Sequence, residues 1–398
     1  MRRRLAVAMI GSGAVAAVLA GAFVTRGGPG AAEVAVEKCG PQPRHPEPKL
    51  DRRLNAGRNA PFLRTYDPEA TSYALPPDSI RAIDRPCHET PATARALLPD
   101  SSQVIGIERG GDSRAYPVDL LALHEVVNDV VGGDPVAVTW CPLCASSLAF
   151  ERRVGGRTLS FGVSGYLHKA NLVMFDRETG SLWSQLLAGA VTGRLRGSEL
   201  RRVPLVQTTW AEWKQAHPDT LVLSIRRDPL GERFTSPGSY STAQGTEETN
   251  VPYGSYVGKV PIYFPRTVRG VPEASLVFGV SLADRRRAWP LTGLNQVRLL
   301  QDELAGVPLV LIAEPDALAA FAYSRRLDER VLDFGLRGRE LVDRDTHSRF
   351  SGLTGRAVSG PLEGETLARV PGTTAYWFAW RRTYPNTSIW SSGSSSGG

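Results

Sequence analysis

Cys141-Pro142-Leu143-Cys144, set behind Trp140 at the end of a β-branched run, carries the densest chemistry in the chain. Two thiols three residues apart can clamp one soft metal ion, exchange with a disulfide, or close a local staple. Imidazoles from His124 and His168 would bring a metal site to four donors, and Met174 adds a thioether. That donor set suits copper or zinc. A thioredoxin-like dithiol would need a helix opening at the first cysteine, to lower its pKa. The residues that follow, SSLAFERRVGGRTLSFGV, read as a hairpin, which argues against that fold and leaves redox activity on another fold open. The chain has no Gly-x-Ser-x-Gly elbow, phosphate loop or His-Glu-x-x-His motif. Ser164 in Gly162-Val163-Ser164-Gly165 lacks the strand–helix setting of a nucleophile elbow.

The elements that must position these residues are short strands. Val104–Glu108 and Arg114–Val118 flank a Gly-Gly-Asp turn, as do Val126–Val131 and Val136–Trp140. Leu148, Phe150 and Arg152 alternate into Val154-Gly155-Gly156-Arg157, and Leu159, Phe161 and Val163 are expected to return beside them. Leu172–Phe175 and Ser181–Gln185 flank Arg-Glu-Thr-Gly, while Pro117–His124 and Thr209–His217 read as short helices. The expected fold is α+β, β-rich, with mainly antiparallel sheets.

The chain also writes one passage twice. VIGIERGGDSRAYPVDLL (Val104–Leu121) matches VFGVSLADRRRAWPLTGL (Val277–Leu294) at an offset of 173 residues. After a six-residue gap the offset becomes 167, where DRETGSLWS (Asp176–Ser184) meets DRDTHSRFS (Asp343–Ser351). Trp210, Trp213, Pro218 and Thr220 then meet Trp377, Trp380, Pro385 and Thr387. Two internally duplicated units are therefore expected. The second copy acts as a control: what serves the fold should survive in both. Cys141-Pro142-Leu143-Cys144 meets Glu314-Pro315-Asp316-Ala317, so the proline stays and the thiols do not. His124 meets Val297, and the gap falls in Tyr166–Phe175, which carries His168, Asn171 and Met174. A local role for Cys141, Cys144, His124 and His168, with Asn171 and Met174 as binding residues, is the expectation.

IRAIDRP, VTWCPLCASSLAFER, FGVSGYLHKANLVMFDRETGSLWSQLLAGAVTG and VPYGSYVGKVPIYFP closely resemble the domain-of-unknown-function family DUF3179 over roughly Ile80–Trp390. The family is prokaryotic and often exported, and its name assigns no reaction. The resemblance puts weight on Cys141. Asp176, Arg177, Trp183 and Gln185 fall in its most recognisable block. Gln185 becomes Gly352 in the second copy and so joins the binding candidates.

Met1-Arg2-Arg3-Arg4 followed by the apolar run Leu5–Val24 reads as a secretion signal or membrane anchor. The body then lies outside the cytoplasm, where a Cys39–Cys87 disulfide is expected. The formal charge of +7 falls to +3 when Arg2, Arg3, Arg4 and Arg26 are set aside. The remaining arginines are dispersed among acids, which excludes a nucleic-acid surface and leaves membrane contact to the N-terminal segment alone. The expected organisation is 1–32 signal or anchor, 33–100 extended arm and lead-in, and 101–228 a first unit carrying the site. It continues with 229–274 connecting segment, 275–390 a degenerate second unit, and 391–398 a disordered tail. The function expected is an exported protein with a soft-metal (copper or zinc) or thiol site. The alternative is a non-catalytic extracytoplasmic module that binds a small molecule or peptide, with the cysteine pair as a staple.

Overall fold

The computed structural model describes residues 42–43, 45–46, 50, 71–73, 75–225 and 267–391. The expected targeting segment, Cys39, most of the connecting segment and the tail beyond 391 lie outside these residues. Among the described residues no helix is long and apolar enough to cross a membrane.

Strands dominate, paired mainly antiparallel. The first half runs β1 (Gln103–Arg109), β2 (Asp112–Pro117), α1 (Val118–His124), β3 (Val126–Val131), β4 (Asp134–Cys141) and β5 (Ser146–Glu151). It continues with β6 (Phe161–His168), β7 (Asn171–Asp176), β8 (Leu182–Ser184), β9 (Gly189–Thr192), β10 (Arg202–Val203) and β11 (Val206–Thr209). It ends with α2 (Trp210–Ala216) and β12 (Leu221–Leu223). The second half runs β13 (Leu276–Leu282), β14 (Arg285–Pro290), α3 (Leu291–Val297), β15 (Leu299–Leu304), β16 (Val307–Glu314) and β17 (Ala319–Ser324). After these come β18 (Phe334–Arg337), β19 (Glu340–Asp343), β20 (Arg349–Ser351), β21 (Ala357–Ser359), β22 (Arg369–Val370) and β23 (Gly372–Tyr376). The last elements are α4 (Trp377–Thr383) and β24 (Ser388–Ile389).

Strand order is the same in three sheets of each half. The order β11-β1-β2-β12 is matched by β23-β13-β14-β24, β10-β5-β4-β3 by β22-β17-β16-β15, and β6-β7-β8-β9 by β18-β19-β20-β21. In both halves one pairing is parallel, β2 with β12 and β14 with β24.

The turns explain the hairpins. Gly132 and Gly133, between β3 and β4, have φ of 58° and 82°, the two positive angles that a tight turn matched to strand twist demands. A Cβ on Gly132 would stand 2.2 Å from the Arg109 carbonyl oxygen. Gly106 is needed for another reason. A Cβ there would meet the Trp213 ring at 2.2 Å, and one on Gly279 would meet the Trp380 ring at 2.5 Å. Each glycine lets a helix tryptophan lie flat on the sheet. Trp213 Nε1 then donates to Thr220 Oγ1 (2.9 Å), and Trp380 Nε1 to Thr387 Oγ1 (3.1 Å).

One expected hairpin is diverted. Beyond Glu151 only Arg153–Val154 and Arg157–Thr158 pair. Phe161–His168 leaves to pair with β7 in another sheet. Both edges of β5 are already taken, by β4 and β10, so a strand returning from the turn has no ladder to join.

The halves clasp each other. β23 of the second half packs on β5 of the first, with Thr373 Oγ1 donating to the Ser147 carbonyl (2.8 Å). Reciprocally, β11 packs on β17 and on the turn Pro315–Ala317, where Gln207 Nε2 donates to the Ala317 carbonyl (3.0 Å). Tyr384 Oη donates to the Leu186 carbonyl (2.6 Å) and accepts from Arg202 Nη2 (2.9 Å).

Candidate functional site: a buried thiol pair

Cys141 ends β4 and pairs across the ladder with Ser146, the first residue of β5. The intervening turn is closed by Cys144 N donating to the Cys141 carbonyl (3.2 Å), with Ala145 at φ 50°. β4 is buried from Pro135 onward and β5 along its whole length, so the turn they share is carried inside the molecule. Cys141 and Cys144 are 1% and 0% exposed, and both are free thiols rather than a disulfide.

The hairpin tip between β6 and β7 closes over the pair. Lys169 and Ala170 sit at φ 52° and 64°, a two-residue turn that brings the Ala170 carbonyl within 2.8 Å of Cys144 Sγ, its donor. Asn171 Nδ2 donates to Cys144 Sγ at 3.5 Å and to Gln185 Oε1 at 2.9 Å, and Asn171 Oδ1 accepts from Leu186 N (2.9 Å). Gln185 Oε1 also accepts from Ser146 Oγ (2.8 Å). Its Nε2 donates to Thr139 Oγ1 (2.9 Å) and the Ser146 carbonyl (3.2 Å). Burial pushes the Cys141 thiol well above its usual range, and contact with Cys144 pushes it further, while the Leu172 backbone N–H pulls the other way. The Cys144 sulfur thus receives an N–H donor, and burial holds the Cys141 proton on at neutral pH.

Two groups stand beside the pair that sequence reasoning passed over. Glu125 caps α1 in the left-handed region (φ 58°). It lies close enough to raise the Cys141 thiol, and burial lifts its own carboxyl to about 8. Tyr376, at the end of β23, donates its backbone N–H to the Cys144 carbonyl (2.8 Å). Its phenol is pushed up to about 12, by burial first and the neighbouring Cys144 second. The one signal in the sequence was indirect: Glu125 follows His124, and the second copy has Arg298 at its place.

The other candidates fall into place as follows. His124, the last residue of α1, is fully buried and its Nδ1 donates to the Arg81 carbonyl (2.6 Å). His168 faces Asn171 across the β6–β7 register, half-buried, its imidazole pKa lowered by burial and by Lys169. Met174 is fully buried in the main apolar core, opposite Trp183. Asn171 and Gln185 do meet the cysteine turn. Among the described residues, the one group of three or more His, Cys, Asp or Glu side chains with ligand atoms within 4.8 Å of each other is Glu212, Glu314 and Asp316. Cys141, Cys144, His124 and His168 therefore do not gather into one clamp. Cys87 is buried next to the short strand His88–Glu89, and its expected partner Cys39 lies outside the described residues.

Fold and site together define a β-rich protein of two like-ordered halves, with a paired-thiol turn in the first and none in the second. Residues 77–387 match the family described as "protein of unknown function (DUF3179)", and the chain belongs to that family. No curated protein and no solved structure matches the chain.

Proposed function

We propose that Cys141 and Cys144 form a two-thiolate site for one soft metal ion, copper(I), in an exported protein. The observation that carries this reading is the contact of two free, buried thiols in one turn, with Asn171 Nδ2 donating to the Cys144 sulfur. Copper(I) is the better occupant because soft thiolates select it, whereas structural zinc takes four donors. Loading would release two protons, and a protonated Glu125 beside the pair would add no further negative charge. In the same reading the halves arose by duplication, which their shared strand orders support, and Cys39–Cys87 is a disulfide formed outside the cytoplasm.

A second reading, a non-catalytic module whose cysteine turn is only structural, is favoured by one feature: the Asn171 and Gln185 amides beside it are fully engaged within the protein. The two readings part in an anaerobic copper(I) titration against a competing chelator. One copper per chain, lost in Cys141→Ser and in Cys144→Ser, supports the first. No copper uptake, with an unchanged unfolding midpoint in the double Cys→Ser variant, sinks it.

A further inference from the structure

Where the first half closes around its thiols, the second half is open. Glu314 ends β16 as Cys141 ends β4, each strand being eight residues long. Beside Glu314 lies a cavity of about 340 Å³, within the range of small-molecule sites. Its wall includes Ile312, Ala313, Leu336, Gly352 and, from α2 of the first half, Glu212. Sequence matching explains the space. Gly352 stands where the first copy has Gln185, and the six-residue gap shortens the hairpin that covers the thiols.

The charges on this wall are unbalanced. Glu314 is 3% exposed and both of its oxygens accept from Arg339 Nη1 (3.1 and 3.0 Å). The same guanidinium also pairs with Glu212, and with Asp316 at 3.5 Å. One cation is thus shared by three carboxylates whose oxygens lie within 4.8 Å of one another. Glu340, also on the wall, is taken by Arg349 (2.6 Å), and Arg298 stands exposed at the rim.

We propose that this cavity is a second ligand site, which takes a small organic ammonium with an apolar body. The ammonium sits against Glu314 and Glu212, and the body fills the space beside Ile312, Phe321 and Leu336. Burial and the Glu212 carboxylate push Glu314 up to about 7, with Arg339 pulling it down, so its proton is released across neutral pH and a bound cation would displace it. The groups facing Glu314 are Glu212 on α2, Asp316 on its own turn, Arg339 between β18 and β19, and Arg298 after α3.

The test uses hexylammonium as probe, with hexanol and hexanoate as controls, in calorimetric titrations of the full chain above pH 8 and below pH 6. Saturable hexylammonium binding that weakens at the lower pH is expected. It should fall at least about tenfold in Glu314→Gln, which keeps the shape, and in Leu336→Trp, which adds bulk to the cavity wall. It should persist in the double Cys→Ser variant, which keeps this site distinct from the copper reading. Equal binding of hexanol or hexanoate, no binding at millimolar probe, or undiminished binding in both variants overturns the proposal. So does displacement of the probe by calcium or zinc, which would make the group a metal site.

Discussion

The backbone N–H of Tyr376 donates to the carbonyl of Cys144 at 2.8 Å, so strand β23 of the second half is bonded to the thiol turn of the first. Three residues earlier Thr373 Oγ1 donates to the Ser147 carbonyl. The second half therefore builds one wall of the first half's site. Thr373→Val removes this buried bond and is expected to cost about 1 kcal/mol. Urea unfolding should show it as a shifted midpoint of one shared transition, followed through the tryptophans buried in both halves. Two separate transitions would contradict that.

Gln185 joins four groups that have no water to turn to. Gln185→Ala leaves Ser146 Oγ and Thr139 Oγ1 short of a partner and opens a cavity, with an expected loss of roughly 2–4 kcal/mol. His168→Ala, at the half-buried hairpin end, should cost well under half as much. Equal losses would mean that the amide network is not what holds the turn.

Glu125 gives stability a definite pH slope. A carboxyl whose folded-state value is raised from 4.5 to about 8 holds a proton that the unfolded chain has already released. Its contribution is full below the unfolded value and falls as pH rises towards 8, then levels off. Glu125→Gln should remove this fall and make the protein more stable than wild type above pH 8, by up to a few kcal/mol. Unfolding free energies of both proteins across this window check it; parallel curves would assign the charge elsewhere.

The thiols should be slow to react. Cys141 is buried with its pKa raised, so iodoacetamide at pH about 8 is expected to label the native protein far more slowly than the unfolded chain. Mass spectrometry after unfolding without reductant also counts the reactive cysteines. Two labels agree with a Cys39–Cys87 bridge, and four rule it out.

Gly106→Ala should be as harmful as a core substitution, because the added carbon enters the Trp213 ring. An expected loss of roughly 1–3 kcal/mol follows from overpacking, with the same sign for Gly279→Ala against Trp380. Thermal melts of the two variants measure it.

What could be read from the sequence was local. Gly-Gly turns flanked by alternating apolar residues marked the β1–β2 and β3–β4 hairpins, and the helices at Val118–His124 and Trp210–Ala216 fell where expected. The β6 strand was misplaced because its period-two pattern says that it pairs, but not with which neighbour. The free edge is decided by β10, some fifty residues later. At the site, Asn171 and Gln185 were legible because the matching passage of the second half lacks them. Tyr376 was not, because its contact with Cys144 is made by the backbone and crosses between halves. The cavity beside Glu314 was hidden for a related reason: a lost side chain reads as decay until its surroundings are seen.

Because β11 and β23 each brace the opposite half, a half is kept in place by the service its outer strand does for its neighbour. The clasp meets the two turns at backbone carbonyls, those of Cys144 and Ala317. It therefore reads no side chain of either turn, and sulfur at one and carboxylate at the other are both compatible with the same seam.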